Sequence, residues 1–328
     1  MSLPKIEEVK QVNEDLTHVT WIVNNICPNT CVYCPPEIHN GSNHNYDWDN
    51  ARRFLDLLFE RYPTMHFSIG GGEPSMSPFF PELVKKIHEA GHTITVTSNA
   101  YKSSEYWREI GPYIKQISFS YHPEFSTEQY FNNVLATADV TLVTARVMML
   151  SSHWTKCIQA YARLLQHDSY VIEIVRVYDW GTRNGSDQYT EEQINWMDTV
   201  KPRFMPYNHQ HSQKPQSNNS IAAEYYFDDG TIGHSRDQIY YTNRGQTNFK
   251  GYECDLGLRS LWIGPLGQIK RGNCMAGGII GSINEPESIQ WPTKSIICPY
   301  NICGCSSDVN INKRRIPNII VKNNAYVK

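Results

Sequence analysis

No stretch of the chain approaches 18 uninterrupted apolar residues, so the sequence predicts no membrane-spanning helix. The opening segment, Met1 to Lys10, mixes charged with apolar residues and has no apolar run of the signal-peptide kind, so no export signal is read there. Charge is scarce and balanced. Only 19% of residues are charged, and 30 Lys and Arg against 33 Asp and Glu leave a net −3. That removes the global field of a nucleic-acid or membrane-surface binder. No internal repeat is visible. Nor is there an even set of cysteines: nine are present, eight of them in two groups, Cys27 to Cys34 and Cys254 to Cys305, with Cys157 alone. Without an export signal, grouped cysteines read as metal ligands before disulfides, and the expected compartment is the cytoplasm.

What the chain does have is enough apolar material, 40% of 328 residues, for one barrel plus a small appendage. From Thr17 to about Lys201, Val-, Ile-, Thr- and aromatic-rich runs alternate with amphipathic stretches. The pattern predicts strands at His18–Asn24, Met65–Ile69, Thr93–Thr97, Gln116–Ser120, Thr141–Leu150 and Tyr170–Tyr178. Helices are expected at Trp48–Tyr62, Pro81–Ala90, Glu105–Ile114, Thr127–Ala138, Trp154–Gln166 and Glu191–Val200. Repeated strand–helix units imply parallel strands, in an incomplete barrel or an open sheet. Residues 203–221 are rich in Asn, Gln, His, Ser and Pro and read as a linker. Beyond them the chain is β-like, with a hairpin expected where Ser260–Ile263 and Gln268–Lys270 flank Gly264-Pro265-Leu266-Gly267. The expected domains are an extension at 1–16, a core at 17–202, the linker, and a C-terminal domain at 222–328. The basic run Lys313-Arg314-Arg315 reads as a solvated tail, or as a contact for an acidic substrate.

Cys27, Cys31 and Cys34 follow the first expected strand with three and two residues between them. That places them on a loop at a strand's C-terminal end, where α/β barrels carry their chemistry. Three thiolates suit zinc, or iron in a cluster. Three ligands on a four-iron cube leave one iron open, as a catalytic metal requires. The alternative is a zinc knuckle completed by His39 or His44. After the second strand comes Gly70-Gly71-Gly72-Glu73-Pro74, where glycines permit close backbone approach and Glu73 adds a carboxylate able to accept from an ammonium group.

The three-cysteine loop with Tyr33 before its last cysteine, followed by Gly71-Gly72-Glu73-Pro74, resembles the radical S-adenosylmethionine (SAM) superfamily. The resemblance implies a partial (β/α)6 TIM-like barrel spanning much of residues 17–308 with its extension. It implies a 4Fe–4S cluster on Cys27, Cys31 and Cys34, with SAM on the open iron. Gly71, Gly72 and Glu73 would position the methionine amino group, and Tyr33 would lie near the adenine. Asn99 and Ser120, at later strand ends, are the expected ribose or carboxylate contacts, ahead of Ser98, Ser118, Arg146 and Arg176. His122 is a candidate proton donor or acceptor toward substrate, or else a positional histidine.

Cys254, Cys274, Cys298, Cys303 and Cys305 crowd the C-terminal domain. Two cysteines bracketing a hairpin, with a tight Cys303-Gly304-Cys305 later, resemble the SPASM and twitch extensions of that superfamily. These imply an auxiliary 4Fe–4S cluster, and the shortage of later cysteines favours a single, twitch-like one. A structural zinc ribbon is the alternative reading of the same residues. Five cysteines exceed four ligands. The expected reaction is reductive cleavage of SAM and hydrogen abstraction from a small molecule, nucleotide or modified base, ending in oxidation, cross-linking or isomerisation. A peptide or protein substrate is the alternative, and a zinc-stabilised binding module the rival from another class. A flavodoxin- or ferredoxin-type electron donor is the expected partner. Lys270-Arg271 and Lys313-Arg315 are compatible with phosphate recognition.

Overall fold

A computed structural model describes residues 3–41, 46–177, 189–200, 222–235, 238–305 and 307–316. The expected linker at 203–221 and the candidate ligand His44 lie outside them. The first elements in chain order are β1 (Ile6–Gln11), β2 (Leu16–Ile22), α1 (Trp48–Arg61), β3 (Thr64–Gly70), α2 (Phe80–Glu89) and β4 (Thr93–Ser98). Next come α3 (Ser104–Ile110), β5 (Gln116–Tyr121), α4 (Glu128–Ala138), β6 (Leu142–Met149), α5 (Trp154–Leu164), β7 (Val171–Arg176) and α6 (Glu191–Thr199). Each element expected between His18 and Val200 is present, with ends shifted by three residues or fewer apart from α3, which closes in a 3-10 turn, Gly111–Tyr113. The later part holds β8 (Ala223–Phe227), β9 (Ile232–His234), α7 (Gln238–Asn243), β10 (Tyr252–Cys254), β11 (Ser260–Ile263), β12 (Gln268–Lys270), β13 (Ile279–Ser282), β14 (Ile296–Ile297) and β15 (Lys313–Arg315).

The chain divides into two compact units. One comprises Met1–Thr20, Asp49–His66 and Ser217–Lys328; the other comprises Trp21–Trp48 and Phe67–Gln216. In the second unit the sheet runs from the end of β2 through β3, β4, β5 and β6 to β7, and the β4–β5, β5–β6 and β6–β7 ladders are parallel. Among the described residues nothing pairs beyond β7, so the sheet stays open. All but the first residue of β5 are buried, the pattern of a parallel strand covered on both faces. The intervening helices bury one stripe each. In α2 it is Phe80, Leu83, Val84 and Ile87. The Ser103 hydroxyl caps α3 by accepting from the Tyr106 N–H. The C-termini of β4, β5, β6 and β7 therefore fall at one end of the sheet.

In the first unit a six-stranded sheet has the order β14-β10-β15-β1-β8-β9. Its pairings are antiparallel. The expected hairpin is present as β11–β12, with Trp262 opposite Lys270, and β13 continues it. Within the expected extension at 1–16, residues 6–11 form β1, which lies between β15 and β8, with Glu8 opposite Arg314 and Tyr226. One expectation is corrected here. Lys313-Arg314-Arg315 is not a solvated tail but strand β15, held between β10 and β1. Buried Ile6, Val9, Tyr225, Phe227, Phe249, Tyr252 and Val309 pack with Cys298 and Cys303 into one core cluster, and Leu256, Ala276 and Ile311 pack with Cys254 into another.

Candidate metal and cofactor site

The loop leaving β2 is tied to the end of β3 by backbone and by one amide side chain. Val23 N–H donates to the Gly70 carbonyl, Gly72 N–H to Asn24, and Glu73 N–H to Ile26. The buried Asn24 amide donates to the Glu73 carbonyl at 2.9 Å and accepts from Ile26 N–H at 3.2 Å. The two backbones pass so closely that side chains are excluded. A Cβ on Gly71 would sit 2.8 Å from the Asn24 carbonyl oxygen, and one on Gly72 would overlap the Ile26 carbonyl. At Gly70 a Cβ would meet nothing within 4 Å, so this part of the turn has space beside it.

Glu73 has no solvent exposure. Its carboxylate accepts from Ser75 N–H at 3.0 Å, the Ser75 hydroxyl at 2.6 Å, the Ser98 hydroxyl at 2.9 Å and 3.0 Å, and Asn99 N–H at 2.7 Å. Burial pushes its pKa up, and these donors pull it down. The carboxylate thus locks the end of β3 to the end of β4, which leaves the backbone of the glycine turn as the part able to meet a ligand's amino group. Ala100, the next residue, is held at φ 62°, a left-handed conformation that costs about 1–2 kcal/mol for a residue with a Cβ. Its N–H donates to the Ser98 hydroxyl, and its carbonyl accepts from Asn133.

Around the thiols, Asn99 Nδ2 lies 3.6 Å from Cys27 Sγ, and Asn29 N–H lies 3.4 Å from the same sulfur. Asn99 Oδ1 is buried with no hydrogen-bond partner among the described residues. Cys31 Sγ lies 3.4 Å from His122 Nδ1, and the same nitrogen meets the Tyr33 hydroxyl at 2.6 Å. The Tyr33 and His122 rings stack at 6.0 Å, 14° from parallel. Burial lowers His122 to about 4, so its ring is neutral. Burial raises Cys31 to about 12 and Cys34 to about 11, and the neighbouring thiols add to both shifts. Glu124 also acts on Cys31 and Tyr33, and its Oε2 is buried without a partner. Burial raises all three thiols, Cys27 raises Cys31 and Cys34 further, and such crowded thiolates are suited to soft metal cations.

Of the residues the sequence singles out, Asn99 lies against Cys27 and Glu73, and Tyr33 and His122 engage each other beside Cys31. His39 presents Nε2 to the Cys34 carbonyl at 3.3 Å. Ser120 and Ser118 are buried in β5, Arg146 pairs with Glu173 at 2.8 Å, and Arg176 pairs with Asp198. Asn24, Ser75 and Glu124 were not anticipated. Asn24 carries a faint signal, as an amide at a strand end just before the cysteine loop. Cys157 is fully buried in α5.

In the first unit, Cys254, Cys274, Cys298 and Cys303 line one hollow with Asp308 and Lys313; Cys305 is not in its lining. Cys254 ends β10, opposite Lys313 of β15 and Ile296 of β14. Cys298 and Cys303 are pinned to the β10 end of the sheet through Cys298 N–H to Tyr252 and Cys303 N–H to Thr247. Cys274 N–H donates to Asp308 Oδ2 at 2.9 Å, and Met275 beside it is left-handed at φ 61°. Burial raises Cys274 and Cys303 to about 12 each, and both are also raised by Cys254 and Asp308. All nine cysteines are free thiols. Among the described residues no three His, Cys, Asp or Glu side chains are set to hold a single metal ion. Four thiols around one hollow fit the donor set of an iron–sulfur cluster.

The basic residues expected to meet phosphate are otherwise engaged. Arg271 donates to the Leu256 and Lys294 carbonyls, and Lys270 lies over Trp262 at 4.7 Å. Arg314 pairs with Glu253, Arg315 with Glu7, and Lys313 is buried. No helix of the described residues is long and apolar enough to cross a membrane.

Comparison with known proteins gives a match to the radical SAM superfamily over residues 21–130. A probable GTP 3',8-cyclase of Pyrobaculum aerophilum is 26% identical over 108 residues, which span 33% of this chain and 35% of that protein. Among solved structures, Streptococcus suis SuiB bound to S-adenosylmethionine is 14% identical with a TM-score of 0.46, covering 80% of this chain and 62% of that one. Native anSMEcpe with bound AdoMet is 13% identical with a TM-score of 0.45, covering 82% and 78%. The segment that matches the radical SAM superfamily, residues 21–130, contains the thiol loop, the glycine turn and the ends of β4 and β5.

Proposed function

We propose that this chain is a radical SAM enzyme that cleaves SAM reductively and takes a hydrogen atom from a substrate carbon. The observation that carries the reading is the meeting of the Cys27–Cys34 loop, the Gly70–Glu73 turn and the Asn99 amide at the C-terminal ends of β2, β3 and β4. When bound there, the cluster and SAM supply the electron and the 5′-deoxyadenosyl radical. The chain's own residues hold and aim. Cys27, Cys31 and Cys34 would hold that cluster by three thiolates, leaving one iron for SAM. Backbone at Gly70–Gly72 is the surface offered to the cofactor's amino group, while Glu73 fixes that backbone against β4. Asn99 donates toward Cys27 and offers Oδ1 to a ligand N–H or O–H. The neutral His122, stacked on Tyr33, supports Cys31.

In the C-terminal domain we assign Cys254, Cys274, Cys298 and Cys303 to one auxiliary cluster, with Cys305 outside it. The proposed domains are a barrel core drawn from 17–202 and a cluster domain built from 222 onward together with β1. The substrate is read as a small molecule, nucleotide or modified base. The name of the Pyrobaculum relative supports a nucleotide, whereas Lys270, Arg271 and Lys313–Arg315 do not, since each is engaged within the protein. Electrons would come from a flavodoxin- or ferredoxin-type donor in the cytoplasm.

Anaerobically reconstituted protein given SAM and dithionite should release 5′-deoxyadenosine, and Cys31→Ala should release none. Deuterium passing from a candidate substrate into that product would identify the substrate. A colourless protein carrying zinc instead of iron would overturn the reading in favour of a binding module.

A further inference from the structure

We propose that Lys313 is a built-in counter-cation of the C-terminal cluster, and that its fixed charge raises that cluster's reduction potential. The proposal rests on the reading of Cys254, Cys274, Cys298 and Cys303 as ligands of one auxiliary cluster.

Lys313 is 2% exposed, in the middle of a sheet, directly across from Cys254. Its ammonium donates to the carbonyls of Asp308, Val309 and Ile311, the last two at 3.1 Å each, so its three N–H directions are filled. It also lies 5.2 Å from the centre of the Phe249 ring. Those partners satisfy its hydrogen bonds but carry no net charge. A buried charge without an opposite charge is costly, and the same turn could be closed by a neutral donor or by water. Cys254, Cys298, Cys303 and Asp308 line the same hollow as Lys313 and are the ionisable groups that act on it.

Only Asp308 among the four is an ordinary anion, and its carboxylate is directed to the Cys274 N–H. The thiols become anions when they ligate iron, and a cube held by four thiolates is negative overall. Reduction adds one electron to that cube; no proton or bond of Lys313 changes. An ammonium held at fixed distance behind a ligand, screened by little solvent, stabilises the more negative state more than the less negative one. Asp308, of opposite sign, acts in the reverse direction.

The test uses the full-length chain carrying Cys27→Ala, Cys31→Ala and Cys34→Ala, so that only the C-terminal site binds iron. Iron content is measured first, then the midpoint by anaerobic potentiometric titration with spectroscopic detection. Failure of this parent to take up about four irons overturns the auxiliary-cluster reading itself. With the cluster present, Lys313→Met should shift the reduction equilibrium at least tenfold toward the oxidised form, about 59 mV for one electron. Lys313→Arg should stay near the parent. Equal midpoints for Lys313→Met and the parent overturn the proposal. So does an equal drop in Lys313→Arg, because shape rather than charge would then be responsible. If Lys313→Met fails to hold iron, Asp308→Asn decides: a raised midpoint supports the proposal, and an unchanged one overturns it.

Discussion

A carboxylate with no exposure and every oxygen already accepting is a tie within the protein. Glu73 meets that description through Ser75, Ser98 and Asn99. Changing Glu73→Gln turns one oxygen into a donor, which must then oppose either the Asn99 N–H or the Ser75 N–H. The expected cost is about 1–3 kcal/mol, read as a lower urea midpoint. Unchanged stability with lost SAM binding would show that the carboxylate faces the cofactor instead. His18 offers a second test at this scale. Burial lowers it to about 4 from an ordinary 6.5, and its Nδ1 is buried without a partner. Its folded pKa is the depressed one, so below pH 6.5 the unfolded chain takes up a proton that the folded chain refuses. Stability is therefore lost as pH falls from 6.5 toward 4. Between about pH 7.5 and about pH 5 the wild type should lose about 2 kcal/mol more than His18→Phe in urea unfolding. Parallel losses in the two proteins would refute it.

The turn after β3 shows how an element, not a side chain, builds the site. Gly72 lies against the Ile26 and Ile38 carbonyls, whereas a Cβ at Gly70 meets nothing. Gly72→Ala should therefore push the cysteine loop away and reduce iron taken up by the N-terminal site, while Gly70→Ala should leave iron content intact. Colorimetric iron assay on both variants checks this, and equal iron in the two would remove the packing argument. The parallel elements were legible because each strand is a run of β-branched and aromatic residues and each helix has one apolar stripe. The thiol loop and glycine turn were legible as local motifs. The roles of Glu73, Asn24 and His122 were not, because hydrogen bonds between the ends of β2, β3, β4 and β5 leave no periodic trace. The six-stranded sheet was illegible for another reason. Its later strands are two to five residues long, and its partners are remote: Arg315 bonds to Glu7 across 308 positions.

At the scale of the whole chain, sequence-contiguous domains miss that one unit is assembled from three separated segments, Met1–Thr20, Asp49–His66 and Ser217–Lys328. Every ligand proposed for the C-terminal cluster lies in that unit, and every residue proposed for the SAM site lies in the other. The two metal sites are therefore separable by mutation. Reconstituted wild type should hold about eight irons, and Cys303→Ser about four. Cys305→Ser should keep about eight, because Cys305 is outside the hollow that the other four line. With SAM and dithionite, Cys303→Ser should still release 5′-deoxyadenosine at a rate within a few-fold of wild type, since the segment matching the radical SAM superfamily, residues 21–130, contains none of the altered ligands. Conversion of the true substrate should fall further than that release does, if the second cluster serves the substrate rather than the cofactor. Loss of iron from both sites in Cys303→Ser would show instead that the two units fold as one, and the assignment of separate ligand sets would have to be withdrawn.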